Sequence, residues 1–94
     1  MGQLVYAPRS SFEIDDTLLA HLRIVVMNKL RRGEAFMMQL PHPTRGQASV
    51  WIAPSSALLF VFFSNRAQRI DADVIQQMMQ EASEPNGLTL YDVD

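Results

Sequence analysis

The apolar positions of the chain follow two periods, a helical period in two stretches and a strand-like period in six. Residues 16–32 and 71–83 repeat apolar side chains every three or four positions, which predicts two amphipathic helices. Asp15 or Asp16 is suited to cap the first helix, because a short side-chain oxygen accepts from its free backbone N–H groups. Gly33 follows that helix as a left-handed C-terminal residue, so both ends of the helix are marked.

Six short runs of aliphatic, aromatic and β-branched residues predict strands. They cover residues 4–7, 12–14, 35–40, 49–53, 58–63 and 88–93. With the two helices they give the order ββαβββαβ, which is typical of an α+β fold. We expect two layers, an antiparallel sheet with both helices on one face. Ninety-four residues form one core and not two, so residues 1–94 are expected to be a single domain.

The chain carries more apolar residues than this two-layer arrangement can bury. The strand at 58–63 has no polar alternation, so both of its faces should be covered. The first helix has a second apolar strip, opposite its core stripe. We expect a homodimer or a protein partner to cover one surface, formed by Ile24, Met27, Met37, Trp51, Leu59, Val61 and Phe63. The alternative is a strongly curled sheet, with the N-terminal hairpin closing the core within one chain.

Composition and charge narrow the class of protein. A hydrophobic content of 48% with 19% charged residues is typical of a globular chain and excludes a disordered one. A net charge of −2 argues against a general nucleic-acid coat protein, which is usually strongly basic. The chain has no cysteine, which excludes disulfides and thiolate metal sites.

The termini and the apolar runs give no sign of a membrane or of export. The N-terminal residues Met1-Gly2-Gln3-Leu4 lack a basic region followed by an apolar run, so no secretory signal is predicted. The most apolar run, residues 57–63, is far too short to span a bilayer. We therefore expect a cytoplasmic protein.

Lys29, the only lysine, falls inside the apolar stripe of the first helix. A desolvated lysine there would suit a nucleophile or a base. We favour a structural interpretation, in which the four-carbon stem lies along the core edge and the ammonium reaches the last carbonyls of the helix.

Arginines near the end of the first helix suggest an anion site. The candidate phosphate- or carboxylate-binding residues are Lys29, Arg31, Arg32, Arg66 and Arg69. They support an alternative function, a nucleic-acid or nucleotide-associated accessory protein. A solvated, salt-bridged helix end is the favoured interpretation, because acidic residues are equally available as partners.

No constellation of catalytic residues is visible. His21 and His42 are the only histidines, and with scattered carboxylates they do not give the spacing of a zinc site. His42 with Ser49 or Ser55 could activate a hydroxyl, but no Gly-x-Ser-x-Gly motif exposes one, and no glycine-rich phosphate loop is present. The sequence therefore predicts no catalytic residues, no metal and no cofactor, and a non-enzymatic interaction module instead of an enzyme.

The chain resembles a family of small uncharacterised bacterial single-domain proteins, some of which carry an automatic label of ATP-dependent DNA ligase. The similar runs are Phe12-Glu13-Ile14-Asp15-Asp16, Leu19-Ala20-His21-Leu22, Lys29-Leu30-Arg31-Arg32-Gly33-Glu34, Trp51, Phe60-Val61-Phe62 and Asn65-Arg66. The resemblance implies a domain type and no established activity. A ligase is not expected, because Lys29 lies on a helix, no second lysine exists and 94 residues cannot form both halves of such an enzyme.

Overall fold

The computed structural model of the chain describes residues 2–6, 10–42, 44, 46–64 and 68–90. Its elements are β1 (Gly2–Tyr6), β2 (Ser10–Ile14), α1 (Asp16–Arg31), β3 (Phe36–Pro41), β4 (Gln47–Ile52), β5 (Leu58–Val61), α2 (Ala72–Ala82) and β6 (Leu88–Thr89). The α+β class and the order ββαβββαβ are confirmed. Within the described residues, neither helix has the length and apolar character needed to cross a membrane.

The strands form two three-stranded sheets, where one sheet was predicted. The first sheet has the order β2-β1-β5 and is antiparallel throughout. The second has the order β4-β3-β6 and is mixed, because β6 runs parallel to β3. The prediction of a single antiparallel sheet was therefore wrong in these two details. Parallel neighbours require a long crossover connection, and here the chain between β3 and β6 contains two strands and α2, a pairing that local patterns do not reveal.

Helix α1 has the ends that the sequence predicts. Of the two candidates, Asp15 is the cap, since its carboxylate accepts from the backbone N–H groups of Thr17 and Leu18. At the other end, Gly33 adopts a left-handed φ of 72°, and its N–H donates to the Leu30 carbonyl. Asp15 thus satisfies N–H groups at the first turn, and the glycine turn satisfies carbonyls at the last.

The second sheet shows the alternation expected of a half-buried sheet. Along β3, Phe36, Met38 and Leu40 are buried, while the residues between them are partly exposed. Each buried residue of β3 lies opposite an inward-facing residue of β4, so this face forms one side of the core.

One hydrophobic core contains residues from both helices and both sheets. Its most completely buried side chains are Leu4, Leu19, Leu22, Val25, Met38, Leu40, Ile52 and Leu88. Burial of one such side chain stabilises the fold by about 1.5–3 kcal/mol. The core thus joins the two sheets within the described residues.

Candidate interaction surface

Strand β5 turns alternate side chains to solvent at the edge of the first sheet. Leu59 is 58% exposed and Val61 is 42% exposed, whereas Leu58 and Phe60 are partly buried against the core. Phe63, just beyond the strand, is 84% exposed. We call Leu59, Val61 and Phe63 the β5 surface. The described chain therefore covers only one face of this strand, and cover of the other by a partner stays a prediction.

Contacts with α1 and with β1 hold the end of β5 in place. The Asp16 carboxylate accepts from the backbone N–H groups of Phe63, at 3.2 Å, and Ser64, at 3.0 Å. These bonds take the chain out of the ladder and end β5 at Val61, two residues earlier than predicted. Gly2 is equally confined, because a Cβ atom there would come within 2.6 Å of the Val61 carbonyl oxygen. The β5 surface therefore lies on a firmly held element.

The two apolar helix residues predicted for the same surface differ in exposure. Met27 is 36% exposed and lines a groove between α1 and β5. Ile24 is only partly exposed and does not line that groove. The apolar strip predicted on the second side of α1 is thus partly covered within the chain, and Met27 is its part beside the groove.

Met37 and Trp51 belong to the other sheet. They are cross-strand partners on its outward face, where Trp51 is 53% exposed and Met37 is half-buried. The Tyr6 hydroxyl donates to the Trp51 carbonyl oxygen at 2.9 Å and so links the two sheets. The seven predicted partner-binding residues are therefore divided between two sheets and a helix, and the structure does not form them into one continuous sheet face.

Two further exposed apolar residues lie near the start of α2. Ile70 is 43% exposed and Val74 is 37% exposed. The buried residues of α2 are Met78 and Ala82. Val74 lies one turn before Met78, at the margin of the buried face, and periodicity alone does not mark where that face ends.

Lys29 joins the ends of the two helices. Its side chain is 7% exposed, and its Nζ donates to Glu34 Oε1 at 3.3 Å and to Ser83 Oγ at 3.0 Å. The carbonyl of Lys29 accepts from the N–H groups of Arg32 and Glu34, so the backbone of the chain reversal already satisfies this part of the helix end. The ammonium reaches the second helix instead of the last carbonyls of α1, which corrects the prediction, while the snorkelling stem agrees with it.

The predicted anion-binding residues that the structure describes are not brought into one cluster. Arg31, Arg32 and Arg69 are exposed, and Arg66 lies outside the described residues. Arg69 lies two residues before Asp71, which contacts His21, and His21 is about 15 Å along α1 from Arg31 at 1.5 Å per residue. With Lys29 already occupied, anion binding by this set stays a prediction.

His21 has a structural position. It is buried, and its Nδ1 is 2.6 Å from the Thr17 carbonyl oxygen, which only accepts. Its Nε2 accepts from the Asp71 N–H at 3.0 Å, and Asp71 in turn caps α2 through the Asp73 N–H. A neutral ring that carries its proton on Nδ1 satisfies both contacts. His21 thus fixes the start of α2 against α1.

His42 does not activate a serine in this structure. Its Nδ1 accepts from the Thr44 N–H at 3.1 Å, and its ring lies edge-on to Phe12. The Ser49 hydroxyl donates to the Gln39 side-chain oxygen. His42 lines a cleft of about 270 Å³ between the sheets, with Tyr6 and Trp51 among the other lining residues. The hydroxyl of Ser49, one of the two serines considered beside His42, is thus directed to an amide.

Comparison with known proteins identifies a family and no activity. A family model described as Domain of unknown function (DUF7882) matches residues 1–93, and the chain belongs to this family. This confirms the expectation of a small single-domain family without an established activity. No curated protein matches the chain. No solved structure matches it either.

Proposed function

We propose that this member of the DUF7882 family is a non-enzymatic interaction module, which forms a homodimer or binds a protein partner through the β5 surface. The observation that supports the proposal is the exposure of three large apolar side chains, Leu59, Val61 and Phe63, at the edge of one sheet. Contiguous apolar patches on soluble proteins mark interaction sites, whereas apolar residues scattered singly do not.

The size of the β5 surface limits what it contributes alone. Covering its exposed fractions would contribute about 3–5.5 kcal/mol, at roughly 1.5–3 kcal/mol for each fully buried side chain. A micromolar complex needs about 8 kcal/mol after the costs of association are met. The interface must therefore extend beyond these three residues, and the groove lined by Met27, Leu58 and Phe60, on the other face of the same strand, offers further apolar area.

The proposal is tested by the mass of the purified chain and by binding of a hydrophobic dye. Multi-angle light scattering at micromolar concentrations should give a dimer, or a monomer that binds the dye. Val61→Thr should lower the dimer fraction or the dye fluorescence, because it places a hydroxyl in the exposed patch. Val74→Thr makes the same chemical change at similar exposure on α2, outside the β5 surface, and should leave both readings unchanged.

Two results would contradict the proposal. One is a monomer at micromolar concentrations without dye binding. The other is an equal response to Val61→Thr and Val74→Thr, which would show that general surface hydrophobicity, and not the β5 surface, determines the reading. Circular dichroism of both variants controls for their folding.

A further inference from the structure

A groove on the face of β5 opposite the β5 surface has an apolar lining and two arginines. It lies between α1 and β5 and has a volume of about 460 Å³, within the range of ligand-binding clefts. Its apolar lining comes from Val26, Met27, Leu30, Leu58 and Phe60, and its charged lining from Arg23 and Arg31. We call this cavity the β5 groove.

The β5 groove lies along an unpaired strand edge. β5 is the last strand of the order β2-β1-β5, and no other strand in the described part of the chain pairs with its second edge. The lining includes residues of β5 and α1 but none of β1, so the groove is on the unpaired side of β5. Alternate residues of such an edge direct N–H and C=O groups away from their own sheet.

The edge carries none of the usual protection against pairing. Native edge strands are blunted by charged side chains, proline or a bulge. Leu58–Val61 contains no charge and no proline, and its ladder with β1 runs in unbroken register. An added strand would therefore meet no side-chain barrier along these four residues.

The two arginines select the charge of the occupant. Arg23 and Arg31 are exposed, and Lys29–Glu34 is the only ion pair within 4.0 Å among the described residues. Neither arginine therefore has a carboxylate partner in that part of the chain. Two guanidinium groups bordering an apolar groove complement an occupant with acidic and apolar side chains.

The spacing of the arginines matches an extended segment. Arg31 follows Arg23 by eight positions, which is about 12 Å along α1 at 1.5 Å per residue. A strand rises about 3.3 Å per residue and covers this distance in about four residues. Acidic side chains at the first and fifth positions of a strand share one face, and an apolar side chain at the third lies between them.

We propose that the β5 groove binds an extended acidic and apolar segment of a partner protein, which adds to β5 as a fourth strand. Backbone pairing with Leu58–Val61 holds the segment. Carboxylates at its first and fifth positions pair with Arg23 and Arg31, and the apolar residue between them enters the groove. This inference rests on the proposed function and gives the chemistry of the partner segment that pairs with the edge of β5.

A synthetic peptide with the core Glu-Val-Leu-Val-Glu, acetylated, amidated and fluorescently labelled, is the probe. Fluorescence anisotropy with the full chain should show saturable binding. The double substitution Arg23→Glu and Arg31→Glu should weaken binding of this peptide at least tenfold. The same variant should instead bind the matched peptide Lys-Val-Leu-Val-Lys. Arg32→Glu is the control, because Arg32 is exposed on the same stretch of chain but does not line the groove.

Hydrogen exchange tests the backbone part of the inference. Binding of the acidic peptide should slow exchange of amides within Leu58–Val61 and leave those of the opposite edge strand, Ser10–Ile14, unchanged. Two versions of the acidic peptide carry N-methyl groups on alternate backbone nitrogens, one on the odd-numbered residues and the other on the even-numbered residues. One of the two should bind at least tenfold more weakly, because only one set of N–H groups faces β5.

The inference is overturned if the acidic peptide does not bind, or if both charge variants of the peptide bind equally to the unmodified chain. If the chain then still dimerises or binds dye in a manner sensitive to Val61→Thr, the proposed function stands and only the identity of the partner segment is wrong. If Val61→Thr and Val74→Thr act alike, the proposed function fails as well.

Discussion

Alanine substitution at two glycines separates a conformational cost from a packing cost. Gly33 and Gly87 have nearly the same left-handed backbone, with φ of 72° and 75°. A Cβ atom at Gly33 would have no heavy atom within 4 Å. At Gly87 the same atom would overlap the Met37 carbonyl oxygen and come within 2.6 Å of its carbonyl carbon. The two sites therefore differ mainly in what lies beside them.

Gly33→Ala should cost only the left-handed conformation, about 1–2 kcal/mol. Gly87→Ala should cost the same amount plus about 1–3 kcal/mol for overpacking, because the obstacle is the backbone of β3 and not a flexible side chain. The displaced residue, Met37, is a ladder residue of β3, and Gly87 directly precedes β6. The parallel pair β3–β6 should therefore weaken as well.

Urea denaturation followed by circular dichroism measures both losses. The free energy of unfolding should fall by at least about 1 kcal/mol more for Gly87→Ala than for Gly33→Ala, at an unchanged dependence on urea. Equal losses would refute the reasoning, since they would show that β3 and the turn before β6 are not in contact. Amide exchange of Leu88 gives an independent reading of the β3–β6 pair.

Three further experiments test the site assignments. Lys29→Met should change the free energy of unfolding by less than about 1 kcal/mol, whereas Lys29→Ala should cost about 2 kcal/mol. The reason is that the buried stem, and not the charge, supplies most of the stabilisation. Equal losses in urea denaturation would contradict this. His21→Gln should retain about 1 kcal/mol more stability than His21→Leu, since its amide oxygen can still accept the Asp71 N–H; thermal unfolding of both variants checks it. The chain should not bind single- or double-stranded DNA at 50 mM salt, and salt-dependent binding that is lost in Arg31→Ala, Arg32→Ala would favour the nucleic-acid alternative.

Local patterns predicted the elements well because each is specified by neighbouring residues. The cap at Asp15, one of the two candidates, the turn at Gly33 and the order of the elements all appear in the structure as expected. The division into two sheets did not follow from these patterns. It depends on long-range pairing, in which β1 lies between β2 and β5 and β3 between β4 and β6.

The candidate site was predicted in part for the same reason. The exposure of Leu59, Val61 and Phe63 could be predicted, because the sequence shows more apolar residues in this run than an edge strand with one buried face can cover. Trp51 was placed on the same surface, but it belongs to the other sheet, because the sequence does not show which strands are neighbours. The β5 groove was missed, because Arg23 and Phe60 are far apart in sequence and line one groove only in the folded chain.

The central claim, that the β5 surface contacts another protein chain, is tested most directly by photo-crosslinking in the cells that produce the protein. Benzoylphenylalanine in place of Leu59 is compared with benzoylphenylalanine in place of Ser11. Both residues are exposed and lie in one row of the sheet, across Val5, on the same face but at opposite edges. We predict a defined crosslinked species, a second copy or one partner, from position 59 and none from position 11. No adduct at position 59, or equal adducts at both positions, would contradict the account.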